Sequence, residues 1–168
     1  MKPLPYLVIL LSLIFSACSS EPKTSEETEV VVEALPDEPH DIEIVISGSD
    51  NMMFDKNAFE VTEGQRVKLL FKNIGTLSKQ AMGHNLVLLD QDTDIPKFAV
   101  EATRYLKNEY IPSEGPSVEK IIGHTKILGP KEQDVFYFTA GAPGKYPYVC
   151  TFPGHFSVMQ GIMTVKAK

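Results

Sequence analysis

Cys150, His155 and Met159 lie within ten residues of one another in Val149–Gly161, VCTFPGHFSVMQG, of a chain with only two cysteines and four histidines. The spacing C-x4-H-x3-M brings sulfur, nitrogen and sulfur donors to one loop. A fourth donor must come from elsewhere, and His84, in Gly83-His84-Asn85, offers one at the start of another apolar run. Two imidazoles, a thiolate and a thioether suit copper. Thiolate and thioether are soft ligands, and two histidines with one cysteine and a weak axial methionine form the blue-copper donor set. Zinc tolerates the thiolate and the histidines but has little use for the thioether. Calcium or magnesium would want carboxylates, which the loop lacks.

Each residue alone has an ordinary explanation. A cysteine in an exported protein is usually half of a disulfide, but Cys18 is the other cysteine and lies in the N-terminal leader. A lone methionine is more often core filler, and a lone histidine is more often structural. The three together, straddling Pro153-Gly154, make the metal site the better reading.

These donors need a rigid frame, and residues 41–168 have the length for one domain with a core. Ile42–Ile46, Arg66–Asn73, Asn85–Leu89, Gln133–Thr139, Lys145–Cys150 and Gly161–Val165 read as strands, separated by Gly, Pro, Asn and Asp turns. That pattern predicts an all-β sandwich. One segment differs: Ile95–Tyr110 sets Phe98, Ala102, Tyr105 and Leu106 on one helical face, with Pro96 near the start. It predicts an inserted helix over 95–110.

The N-terminus reads separately. Lys2, an apolar run through Phe15 and small Ser16-Ala17 before Cys18 form an export signal too short to span a bilayer. The cysteine after small residues resembles a bacterial lipobox, which implies lipidation at Cys18 and a chain exported to the periplasm or cell surface. Residues 19–40 carry seven acids and one base and few large apolar groups. They are expected to form a disordered tether reaching roughly 70 Å when extended. Of the chain's 22 acids and 16 bases, the part from 41 onward keeps 15 and 14, so the folded part is nearly neutral. No basic stripe suggests nucleic acid.

Met82-Gly83-His84-Asn85 and Cys150-Thr151-Phe152-Pro153-Gly154-His155 resemble the copper-binding segments of azurins and auracyanins, within the cupredoxins. Ser49–Phe54, Leu77–Lys79 and Gly123–Gly129 extend the resemblance over nearly all of 41–168. The resemblance implies an eight-stranded Greek-key sandwich holding one copper ion that cycles between Cu(I) and Cu(II). It implies His84, Cys150 and His155 as equatorial ligands, Met159 as the distant axial ligand, and the Gly83 carbonyl as a weak fifth contact. It also implies that Asn85 bonds the ligand loop at Thr151. By the same resemblance, Met52, Leu77, Ala81, Phe152 and Phe156 match or neighbour an apolar patch expected around His155, where a redox donor and acceptor, such as a cytochrome or a membrane electron-transfer complex, would dock. The chain departs from azurins in lacking an early disulfide and any tryptophan.

The expected function is single-electron transfer without catalysis. Four protein donors leave no open position for substrate. The remaining His40 and His124, expected at the surface, are too few for a second copper cluster. Two alternatives stand beside it: copper delivery, with the metal as cargo, and a non-redox, lipid-anchored binding module.

Overall fold

A computed structural model describes residues 37–168. The expected signal segment with Cys18 and most of the acidic segment lie outside the described residues. No helix among those described is long and apolar enough to cross a membrane.

Two sheets face each other. One runs β2-β1-β4-β7, with β1 Ile42–Ser49, β2 Met53–Phe54, β4 Arg66–Asn73 and β7 Gln133–Thr139. The other runs β3-β9-β8-β5-β6, with β3 Ala58–Thr62, β5 Val87–Leu89, β6 Ile121–His124, β8 Gly144–Val149 and β9 Gln160–Lys166. Chain neighbours cross between sheets, as in a Greek-key sandwich. The described residues form nine strands, against the expected eight, and β2 has only two residues.

Alternation makes β4 the clearest element: Val67, Leu69, Phe71 and Asn73 point inward and the residues between them outward. Val67, Leu69 and Phe71 pack with Ile46, Leu86, Leu88, Tyr148 and Met163 in the central core. Each fully buried side chain of this size stabilises by roughly 1.5–3 kcal/mol. The uninterrupted apolar run at β5 has a different cause. Leu86 and Leu88 face the sandwich, whereas Val87 and Leu89 face Phe98, Ile111 and Val149 under the inserted segment, so both faces of the strand are covered.

The inserted helix is shorter than the predicted 95–110. α2 spans Ile95–Ala102; Asp94 caps it by accepting from Lys97 N at 3.0 Å, and Pro96 sits in its first turn. Phe98, Ala99 and Ala102 are buried. The chain then tightens into a 3-10 turn at Leu106–Asn108 and adopts positive φ at Glu109 and Tyr110, which a helix cannot contain. Leu106, predicted on the buried face, is 65% exposed as a result.

The pole of the sandwich where β1 and β4 begin binds the end of the acidic segment. Glu38 pairs with Arg66 at 2.7 Å, Asp37 with Lys68 at 3.1 Å, and Asp41 accepts from Arg66 N at 2.7 Å. The His40 ring lies 6.0 Å from that of Tyr137. β1 and β4 then run parallel, from Ile42 opposite Val67 to Gly48 opposite Asn73, about 20 Å at the usual rise.

Candidate metal centre

At the far pole, β8 ends at Val149 and Cys150 follows; Met159 directly precedes β9. Cys150 N donates to Met159 O at 3.0 Å and closes the base of the loop. Within it, His155 N donates to Phe152 O at 3.0 Å, with Pro153 second in the turn and Gly154 third at φ 86°. This is the sequence signature of a type II turn, which needs positive φ at its third residue. Met159 N then donates to His155 O at 2.9 Å. The Phe-Pro-Gly-His order therefore turns the histidine back towards the cysteine.

His84 arrives from the other side. A one-turn helix, α1 (Lys79–Met82), leads through Gly83 to a two-bond bridge with Leu128: His84 N donates to Leu128 O at 3.1 Å and Leu128 N donates to His84 O at 2.7 Å. Asn73, at the end of β4, adds a bond from Nδ2 to the same Leu128 carbonyl at 3.0 Å and accepts from Gly75 N at 2.8 Å. Gly83 is buried against Ile127 and Phe152; a Cβ there would stand 2.6 Å from Ile127 Cγ2 and 3.3 Å from Phe152 Cε2. Only glycine permits that approach.

The ligand atoms converge. His84, Cys150 and His155 each offer one donor atom, and all lie within 4.8 Å of one another. His84 Nδ1 and His155 Nδ1 are 3.2 Å apart, and Cys150 Sγ is 3.6 Å from His155 Nδ1. His84, Cys150 and Met159 have no exposed surface and His155 has 4%. Burial pushes the Cys150 thiol up to about 12 and His155 down to about 4, the latter with help from neighbouring His84. Burial also lowers His84, partly offset by the Ser49 backbone and the Asp50 charge. His84 Nε2 is buried without a hydrogen-bond partner of ordinary geometry. A dry set of neutral nitrogens and a free thiol aimed at one point fits a soft metal ion.

The expected Asn85–Thr151 contact is present as two bonds of 2.8 Å: Asn85 Nδ2 donates to Thr151 Oγ1, and Thr151 N donates to Asn85 Oδ1. Sequence reasoning missed Asn73, and also Thr125, which is fully buried and exchanges bonds with both backbone groups of Leu86. It also missed Asp50, whose carboxylate accepts from Thr76 N and Oγ1 at 2.8 Å each; these bonds hold it below the usual carboxylate range. A buried polar residue at the inward end of an alternating strand was the readable signal for Asn73.

Of the residues expected in an apolar patch, Leu77 and Ala81 are exposed and Met52 and Phe152 half-buried. Phe156 is half-buried and packs against the cluster under the inserted segment. Val158, not anticipated, is 55% exposed, and its N–H donates to His155 O at 3.1 Å. His124 is exposed on β6, and His40 lies half-buried at the opposite pole.

Comparison with known proteins agrees with this geometry. The family described as copper binding proteins, plastocyanin/azurin family, matches residues 40–166. Azurin from Pseudomonas fluorescens biotype C is 35% identical over 127 residues, covering 73% of this chain and 97% of the relative. Azurin-1 from Alcaligenes xylosoxydans xylosoxydans is 34% identical over 122 residues, covering 70% and 92%. Among solved structures, dithionite-reduced auracyanin from Roseiflexus castenholzii superposes with a TM-score of 0.66 at 34% identity, covering 76% of this chain and 99% of that one. Auracyanin A from Chloroflexus aurantiacus, a "blue" copper protein, gives 0.65 at 29%, covering 74% and 98%.

Proposed function

Because the chain belongs to the plastocyanin/azurin family of copper-binding proteins, we propose that it carries single electrons at a mononuclear copper site held by His84, Cys150, His155 and Met159. The observation that carries this reading is the buried convergence of His84, Cys150 and His155. Copper supplies a one-electron couple when bound there. The protein's part is to hold its donors still. Cys150 is locked to Met159 through the backbone, His84 to Leu128, and the loop to Asn85. Such bonds orient ligands and tune the metal, and a site that barely moves reorganises little on electron exchange. Gly83, wedged between Ile127 and Phe152 directly before His84, would offer its carbonyl as a further weak donor to the ion.

Partners are assigned to the apolar surface of Met52, Leu77, Ala81, Phe152 and Val158, with Phe156 contributing its exposed part. Exposed apolar groups around a functional centre suit weak, brief docking. A lipid on Cys18 and an acidic tether would keep the carrier on the outer side of a bacterial membrane, close to its partners. No catalytic role is assigned, since every metal-capable group at the site is used in holding the ion. Burial of the thiolate opposes rapid metal release and so opposes copper delivery.

The test is copper titration of the full-length protein, followed by visible absorption and a redox titration, with Cys150→Ser beside the wild type. The wild type should give an intense thiolate-to-copper band and one reversible one-electron wave, and Cys150→Ser should lose the band because hydroxyl is a harder, poorer donor. A strong band in Cys150→Ser would show that the ligand assignment is wrong. Rapid loss of copper from the wild type to a weak chelator would favour delivery.

A further inference from the structure

Glu109 and Tyr110 are consecutive non-glycine residues with positive φ, 52° and 61°. Side chains crowd the backbone in that conformation, so two in succession persist only where the surroundings hold them. The surroundings are the two arms of the metal centre. Both carboxylate oxygens of Glu109 are used: Oε1 accepts from Lys79 Nζ at 3.1 Å and Oε2 from Ile127 N at 2.9 Å. Lys79 and Ile127 bracket Gly83, and the residue after Ile127, Leu128, makes the two-bond bridge to His84. The Tyr110 ring meets Phe152 edge to face, with centroids 5.7 Å apart and planes at 74°. Phe152 in turn lies 4.7 Å from the His155 ring. One dipeptide of the inserted segment thus reaches the His84 arm through its first residue and the His155 arm through its second.

We propose that Glu109 and Tyr110 are a positioning pair for the copper centre: a strap that presses Phe152 onto His155 and ties that arm to the His84 arm. The proposal rests on the copper reading above. The strap adds a restraint from outside the ligand loop, through Phe152 and Ile127. Its effect passes through packing, so it depends on the Tyr110 ring and not on its hydroxyl. A strap that merely anchored the insertion would contribute to thermal stability and leave the ligands indifferent.

The experiment uses full-length wild type, Tyr110→Leu and Tyr110→Phe, each loaded with copper, plus the copper-free forms. Copper loss to excess chelator, reduction potential and amide hydrogen exchange at His155 and Met159 in the copper-free protein are measured. Tyr110→Leu should lose copper roughly tenfold faster, as for other groups that orient metal ligands. It should also shift the potential and exchange the His155 amide faster. Tyr110→Phe should stay within about twofold of wild type on all three, since the edge of the ring is retained. Unchanged copper loss and exchange in Tyr110→Leu would overturn the proposal, as would a Tyr110→Phe protein that behaves like Tyr110→Leu. Should Tyr110→Leu not fold, Glu109→Ala, which frees Lys79 and the Ile127 amide, is read in the same assays with the same outcomes. A wild type that takes up no copper overturns the underlying reading instead, whereas a blue wild type with indifferent variants overturns the strap alone.

Discussion

Asn85 and Thr151, 66 positions apart, clasp each other through two hydrogen bonds of 2.8 Å, one in each direction, with both residues at most 1% exposed. Asn85 follows His84 and Thr151 follows Cys150, so the clasp fixes two of the candidate metal-binding residues from the positions next to them.

Replacing Asn85 by Ala strands a buried N–H and a buried hydroxyl at Thr151. Each unmet group costs about 1–3 kcal/mol, so the copper-free protein should melt on the order of 10 °C lower. Asn85→Asp keeps an acceptor for Thr151 N and the hydroxyl can turn to donate, but a carboxylate with no exposed surface carries a desolvation cost of its own, so this variant should also melt below the wild type. Its added negative charge favours the more positive oxidised ion and should lower the potential. Calorimetry and voltammetry on both variants check this, and an Asn85→Ala protein melting with the wild type would remove the clasp from the account.

Met159 touches the end of β1: a Cβ placed on Gly48 would come within 2.7 Å of Met159 Cε and 3.0 Å of Phe71 Cζ. Met159→Leu conserves volume and should cost less than about 1.5 kcal/mol. It should raise the potential, since losing even a weak donor in a dry site disfavours the doubly charged ion. Gly48→Ala should disturb the same thioether from behind and alter the visible spectrum. A potential that falls in Met159→Leu at fixed pH would refute the axial role.

The buried thiol makes metal uptake pH-dependent. With Cys150 pushed up to about 12 and His155 down to about 4, the metal-free site at neutral pH holds a protonated thiol and neutral imidazoles. Copper takes the thiolate, so binding at neutral pH should expel about one proton, and the apparent affinity should rise about tenfold per pH unit from neutral pH to roughly 9. The sign follows because the loaded state binds fewer protons than the empty one. Titration calorimetry in buffers of different ionisation enthalpy counts the protons, and a count of zero would mean that the empty site already holds a thiolate.

Recognition through an apolar face predicts a weak response to salt. The part from 41 onward carries 15 acids and 14 bases, leaving little net charge to steer approach. Val158→Glu, at a site 55% exposed beside His155, should slow electron exchange with a soluble redox protein while the visible spectrum stays unchanged. Stopped-flow rates across ionic strength check it. A steep salt dependence that disappears on deleting residues 19–40 would move recognition to the acidic segment.

The loop from Cys150 to Met159 was legible in the sequence because its geometry is local: Pro153-Gly154 dictates the turn and the donors sit inside it. β4 was legible because one face of it is wet and the other dry. β3 was not, since as an edge strand it fully buries only Val61, and β6 was not, since it is four residues long and contains a glycine. The helix from Ile95 was extended too far because Tyr105 and Leu106 continue its apolar spacing. The helix itself ends at Ala102, and Tyr105 already leaves helical backbone at φ −100° and ψ 42°; beyond it the conformation of Glu109 and Tyr110 is fixed by Lys79, Ile127 and Phe152, none of them near in sequence. Asn73 has the same character: its partner Leu128 lies 55 positions away.

Arg66 and Lys68 grip the end of the acidic segment at the pole where β1 begins, and the metal-capable side chains sit at the pole where β1 ends. A support that captures the chain by its N-terminal side therefore stands off from the redox end by the length of a strand of insulating protein. Wired to an electrode that way, the protein would be a poor conductor facing outward, with its reactive tip offered to the solution. Adsorbed by the other end on an alkane-coated electrode, the same molecule would exchange electrons directly with the metal beneath it. Orientation on a surface, set by which end is held, becomes an on–off choice for current.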